Sequence, residues 1–169
     1  LSPGGKCSIP KDIEGVKATP AFSNADINPP LLIEGKIEGE NLQVLDKQGK
    51  VSTQSNVVKE WSNNTQLWWT EQKPGDKMTV QFIADRDYNG HLVIAFTQAT
   101  DYGFHNISLN GKTIKNNLGF YNKQLQLRPF DLGNAEIKKG ENTLTFECVS
   151  FSPQMKKAML GIDCIQIKE

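Results

Sequence analysis

Residues 77–85 read Lys-Met-Thr-Val-Gln-Phe-Ile-Ala-Asp. Met78, Val80 and Phe82 occupy every second position, and Lys77, Thr79 and Gln81 lie between them. A period of two puts the apolar side chains on one face and the polar ones on the other, which is a half-buried strand. An amphipathic helix would space its apolar residues three or four apart. The same reading extends outward in both directions. Residues 91–99, HLVIAFTQA, are nearly continuous apolar, as in a strand covered on both faces. Residues 104–114, FHNISLNGKTI, predict a hairpin, because Asn110-Gly111 supplies two residues tolerant of positive φ. LQLRPFDLG (125–133) and NTLTFECVSF (142–151) follow, joined through Lys139-Gly140-Glu141-Asn142, and MLGIDCIQIKE (159–169) ends the sequence. Upstream, LLIEGKIEGENLQVLD (31–46) gives two short runs broken by Gly39.

No segment carries a convincing helical period. Short strands separated by Gly, Asn, Asp and Pro turns predict an all-β fold, two sheets packed as a sandwich, in the economical form of a jelly roll. The 169 residues suit one domain with a real core. Residues 32–169 are assigned to it. Residues 1–31 are rich in Pro, Gly, Ser and Asn without periodicity, and Pro29-Pro30 stands as a stop before the first strand. That segment reads as a linker or an irregular strap, and the start at Leu1 reads as a processed or trimmed product.

Nineteen basic and nineteen acidic side chains cancel, and the basic pairs Lys138-Lys139 and Lys156-Lys157 fall in expected turns. A nucleic-acid partner is not expected, since it would need a basic patch to displace counterions. No apolar run is long enough for a membrane span. Three cysteines are too few for a disulfide framework. Cys148 and Cys164 read as small buried hydrophobes, or as neighbours across a terminal strand pair able to oxidise; Cys7 lies in the N-terminal segment.

Catalysis finds little support. His91 and His105 are the two histidines, and no Gly-x-Ser-x-Gly accompanies them. Glu38 and Glu40, two apart on an expected strand, share a face and cannot easily flank a glycosidic bond from both sides. As a pair they are two solvated charges or ligands for a hard cation such as Ca2+.

The aromatic residues carry the binding question. The segment 54–69 interleaves Trp61, Trp68 and Trp69 with Gln54, Asn63, Asn64 and Gln66. Flat aromatic faces beside amides are what a sugar ring needs. Trp61 lies in the polar stretch EWSNNT, where it either folds back as a lid or presents its face to a ligand. Trp68 and Trp69, adjacent on a strand, must point to opposite sides. Trp69 is expected in the core, and Trp68 with Gln66 on the polar side. Asp101, Tyr102 and His105 form a second cluster, with Tyr102 able instead to cap the core, and Tyr121-Asn122 a third.

Taken in order, IEGE, PGDKMTVQF, ISLNGKTI, IKKGENTLTFE and GIDCIQI resemble the galactose-binding-like β-sandwiches. The similarity is to carbohydrate-binding modules of families six and thirty-five, and to jelly-roll accessory domains of bacterial glycoside hydrolases; it spans roughly residues 33–168. It implies a non-catalytic domain, secreted, periplasmic or on a bacterial cell surface. The implied partner is a polysaccharide, an oligosaccharide or a glycoside hydrolase catalytic domain. The alternative is a structural sandwich that packs on a partner without binding glycan. The resemblance also implies a structural Ca2+ at Glu38, Glu40 and Asp163, joining the first and last strands. An Asp alternating with Ile165 and Ile167 would need a partner, either Ca2+ or a backbone or side-chain donor, since an unpaired buried carboxylate is costly. Sugar sites in these families use loop aromatics and an Asn near the last strand; the last loop here, SFSPQMKKAML, has none.

Overall fold

The computed structural model describes residues 29–151 and 158–169. Cys7, Lys156-Lys157, most of the N-terminal segment and the centre of the last loop lie outside the described residues. In chain order the strands are β1 (Leu31–Leu32), β2 (Lys36–Glu38), β3 (Gln43–Lys47), β4 (Lys50–Ser55), β5 (Thr65–Gln72), β6 (Lys77–Ala84), β7 (Tyr88–Gln98), β8 (Phe104–Leu109), β9 (Lys112–Gly119), β10 (Gln126–Ile137), β11 (Gly140–Ser150) and β12 (Ala158–Lys168). Two single-turn 3-10 segments, Gly39–Asn41 and Ser62–Asn64, are the helical structure among the described residues.

The strands form two sheets. The first runs β1-β6-β11-β8-β9, with β3 also paired to β6; the second runs β10-β7-β12-β5-β4, with β2 also paired to β12. From β5 to β8 the chain alternates between sheets, as it does again from β9 to β12, so successive strands face one another across the core. This is the expected sandwich of jelly-roll type. Strand β6 alternates as its sequence predicts: Met78, Val80 and Phe82 are buried, while Thr79 and Gln81 are half-buried. In β7, residues 95–98 are all buried: Phe96 enters the core, and the Trp61 turn covers Thr97 on the opposite face. Asn110 and Gly111 both have positive φ, 50° and 84°, and turn β8 into β9.

Trp69, Phe82, Phe96, Phe120 and Phe146 are fully buried. Phe96 and Phe120 stack with ring centroids 4.2 Å apart. Each such side chain stabilises the fold by about 1.5–3 kcal/mol relative to exposure. Trp69 belongs to this core, and its indole N–H donates to the Gln48 carbonyl at 2.6 Å.

Four sequence expectations need correction. Cys148 lies in β11 of the first sheet and Cys164 in β12 of the second, both as free thiols, so they are not neighbours across a strand pair. Glu40 is not on a strand with Glu38; it sits in the 3-10 turn that follows β2. Asp163 does not alternate with Ile165 and Ile167 on one apolar face. A register shift between Ile162 and Cys164 lets Ile162 and Ile165 both enter the core and frees Asp163 from their row.

The fourth correction concerns His105, expected at a ligand, and it begins at the end of β5. Continued alternation would turn Gln72 away from the core. Glu71 instead adopts φ of 60°, and the pairing with β12 slips between Ala158 and Leu160. Gln72 therefore points inward and is fully buried. Its side-chain oxygen meets His105 Nε2 at 2.7 Å. His105 is also fully buried, packed between Trp69 and Phe120. Burial pushes its pKa down to about 3, with the Gly103 carbonyl opposing, so the ring is neutral. His105 is a core residue, not the ligand contact expected of it.

Candidate functional site

On the face of the second sheet turned away from the core lies a closed polar network. Gln66 on β5 is fully buried and donates to Gln54 on β4 at 2.9 Å and to the Tyr102 hydroxyl at 3.3 Å. Its carbonyl oxygen accepts from Thr97 on β7 at 2.6 Å. Thr97 in turn accepts the Trp61 indole N–H at 2.9 Å. The network fits because residue 161 of β12 is glycine: a Cβ there would collide with the Gln66 amide. Trp61 is 3% exposed, so the EWSNNT turn folds back over the sheet, and of its two expected roles it takes that of a lid. Gln66 and Tyr102, both expected at a ligand, are likewise interior. Burial pushes the Tyr102 hydroxyl up to about 12; Asp101 adds to the rise, while Gln66 and Trp68 oppose it. Trp68 points to this face as alternation requires and is half-buried, and its N–H is shut off from solvent on the side of the Tyr102 hydroxyl. The protein's own chain covers the polar end of Trp68.

Beside the network stand three carboxylates. Gly39 packs so tightly on β12 that a Cβ would run into the Ile162 carbonyl, and this approach brings its neighbours Glu38 and Glu40 beside Asp163. Glu38 accepts from Ser62 at 2.9 Å and lies 3.5 Å from Lys36. Glu40 accepts from Asn63 at 2.9 Å. Each of the three keeps one oxygen shielded from solvent with no hydrogen-bond partner: Glu38 Oε1, Glu40 Oε1 and Asp163 Oδ1. Asp163 is 2% exposed. Burial pushes its pKa up to about 6; Ser62 opposes through its backbone, and the charges of Glu38 and Glu40 add to the rise. Burial also raises Glu40, with Asn63 opposing and Glu38 contributing. Among the described residues, no three acidic, histidine or cysteine side chains already converge as a ligand set. The spare oxygens nonetheless suit a hard cation, which takes carboxylate and carbonyl oxygens.

The remaining predicted residues, Asp101 and Tyr121, lie at one end of the sandwich. The 99–103 loop and the 120–122 segment are locked together by backbone bonds: Ala99 N to Phe120 O at 3.2 Å, Asn122 N to Ala99 O at 3.1 Å and Phe120 N to Gly103 O at 3.1 Å. Gly103 N donates to Met159 O at 3.4 Å, which ties the loop to β12. Asp101 is half-buried, and Tyr121 is 47% exposed. Leu125, absent from the sequence-based set, is 50% exposed on the same connection into β10. The Asn122 amide N–H is spent on the Gln124 carbonyl at 2.7 Å, which leaves its oxygen free to accept. The rim therefore offers an aromatic face, a carboxylate and an amide oxygen on a preformed backbone. The strand read over 125–133 began at Leu125, whereas β10 begins at Gln126 and leaves Leu125 in the turn before it.

No protein-family model and no curated protein matches the sequence. Solved structures share its fold. A xanthan lyase from Paenibacillus is 13% identical with a TM-score of 0.71, over 82% of this chain and 13% of that one. A family 35 carbohydrate-binding module from an environmental isolate is 15% identical with a TM-score of 0.53, over 79% of this chain and 92% of that one. A Podospora anserina β-(1,4)-mannanase carrying a family 35 module is 16% identical with a TM-score of 0.52, over 81% of this chain and 28% of that one. The chain thus spans a small part of the two enzymes and nearly the whole of the isolated module. The β-sandwich resembles that of family 35 carbohydrate-binding modules.

Proposed function

We propose that this chain is a non-catalytic carbohydrate-binding domain, accessory to a secreted or cell-surface glycoside hydrolase of bacterial type. The ligand is one end or a short stretch of a poly- or oligosaccharide, bound at the rim of Asp101 and Tyr121. One observation carries the reading: Tyr121 exposes its ring on a segment bridged by backbone hydrogen bonds to the loop that carries Asp101. An aromatic face can stack on the C–H surface of a pyranose while Asp101 and the Asn122 oxygen accept from its hydroxyls. Preformed backbone lowers the ordering cost of binding. The fold similarity to sugar-binding modules supports the same reading.

The test is titration calorimetry or affinity electrophoresis against a panel of polysaccharides, with Tyr121→Ala and Asp101→Ala. Both variants should lose about tenfold or more in affinity while melting as the parent does. Unchanged binding in both would remove the rim as the site. An absence of binding to every polysaccharide, joined with stable association to a catalytic domain, would favour a packing module instead.

The proposal includes a structural Ca2+ held by Glu38, Glu40 and Asp163, whose spare oxygens would supply part of its shell. The ion would offset most of the repulsion among three neighbouring carboxylates and tie the turn after β2 to β12. Addition of Ca2+ should raise the melting temperature and a chelator should reverse the gain. No shift in either direction would remove the metal.

A further inference from the structure

A groove of about 420 Å3 opens between the edge strands of the two sheets, β9 and β10. It lies by the β8–β9 turn and the start of β7, at the opposite end of these strands from the Asp101–Tyr121 rim. Its size is at the small end of ligand pockets, which run from about 300 to 1,000 Å3. The lining includes Leu109, Ile114 and Ala135 as aliphatic surface. Around them stand Asn89, Asn134, Lys112 and Glu136.

These polar groups are free to bind. Asn110, also in the lining, is fully engaged: its amide donates to Asn142 at 3.0 Å and accepts from the Thr143 N–H at 2.8 Å. It is a fixed wall. Asn89 and Asn134, by contrast, make no side-chain hydrogen bond among the described residues, and Lys112 and Glu136 make no ion pair there. Glu136 pairs with Asn89 in the β10–β7 register, so donors and acceptors of both strands meet at one place. The β10 bulge between Asp131 and Asn134, with Gly133 at φ of 95°, interrupts that ladder beside Asn134. Bulges at sheet edges commonly re-aim a side chain in this way.

Two free amides, one ammonium and one carboxylate around aliphatic surface offer donors and acceptors in several directions without a net charge. That is the complement of a neutral polyhydroxylated ring: hydroxyls both donate and accept, and the ring's C–H face needs apolar contact. An anionic ligand would meet the like charge of Glu136, and a cationic one that of Lys112. We infer that the β9–β10 groove is a second saccharide subsite, sized for one or two neutral sugar units and independent of the Tyr121 rim. This rests on the carbohydrate-binding reading for its ligand class, but on separate residues. Two sites on one domain would let neighbouring stretches of glycan bind with a combined avidity.

The test is a proton–nitrogen NMR titration of the whole chain with cellohexaose, mannohexaose and xylohexaose. It is run on the parent, on Tyr121→Ala, and on the Asn89→Ala/Asn134→Ala double variant. At least one sugar should shift the signals of residues 89, 112, 134 and 136 in the parent and equally in Tyr121→Ala. The double variant should weaken those shifts by about tenfold while the signals of residues 99–103 and 120–122 respond as before. Groove shifts that vanish in Tyr121→Ala, or that fail to occur with all three sugars, would overturn the second subsite. Groove shifts without rim shifts would keep it and overturn the rim instead.

Discussion

Trp61 and Tyr121 both sit in asparagine-containing loops beside a strand end, yet Trp61 is 3% exposed and Tyr121 is 47% exposed. The difference lies in what stands next to each ring. Trp61 is the large apolar group of its turn, and beneath it the sheet offers an acceptor, Thr97, for its N–H. It therefore closes over the sheet. Tyr121 follows Phe120, which is fully buried and anchors the loop against Phe96. With the core position already filled, the next ring faces outward. An aromatic in a polar loop is thus free to bind ligand when a neighbour has taken the anchoring role.

The strongest way to break this comparison is Trp61→Ala. It should cost about 3–5 kcal/mol of stability, read as a fall in the urea midpoint, because a buried aromatic is removed and Thr97 loses a donor. Near-parent stability with lost sugar binding would return Trp61 to the role of ligand platform. Next comes Gln66→Ala, which leaves Thr97, Gln54 and Tyr102 short of partners. It should cost about 1–3 kcal/mol on the same measurement.

A third test uses pH. Asp163 titrates at about 6 in the folded chain, above its ordinary value near 4. The folded state therefore binds the proton more tightly than the unfolded one. The stabilisation from this group is fully present below about pH 4 and is lost as pH rises through about 6; Glu40, raised in the same sense, adds to the slope. Metal-free melts between pH 4 and 7 should show this fall, and Asp163→Asn or saturating Ca2+ should flatten it. A parent curve parallel to that of Asp163→Asn would contradict the assignment. The smallest effect on stability is expected at the other pole of the comparison: Tyr121→Ala should change it by less than about 0.5 kcal/mol, whatever it does to binding.

Much of the fold was legible because burial on one face imposes a period of two. Met78, Val80 and Phe82, the Asn110-Gly111 turn and the opposite faces of Trp68 and Trp69 all follow from local geometry. The errors cluster where that geometry is interrupted. The bulge at Glu71 sent Gln72 inward to His105, and the slip after Ile162 released Asp163 from the apolar row. Both depend on pairing with β12, and neither leaves a mark in the spacing of apolar residues. The predicted site divided in the same way: Trp61, Gln66, Tyr102 and His105 went to the interior, while Asp101 and Tyr121 share the rim.

The sequence by itself determined the fold class, the strand order along the chain and which residues could serve as core or as ligand groups, because side-chain alternation and turn chemistry act over a few residues. Only the tertiary structure decided which aromatics reach solvent, which carboxylates gather, and that a polar groove opens between β9 and β10. Those depend on strands distant in sequence meeting in one register, and on whether a buried donor finds its acceptor there.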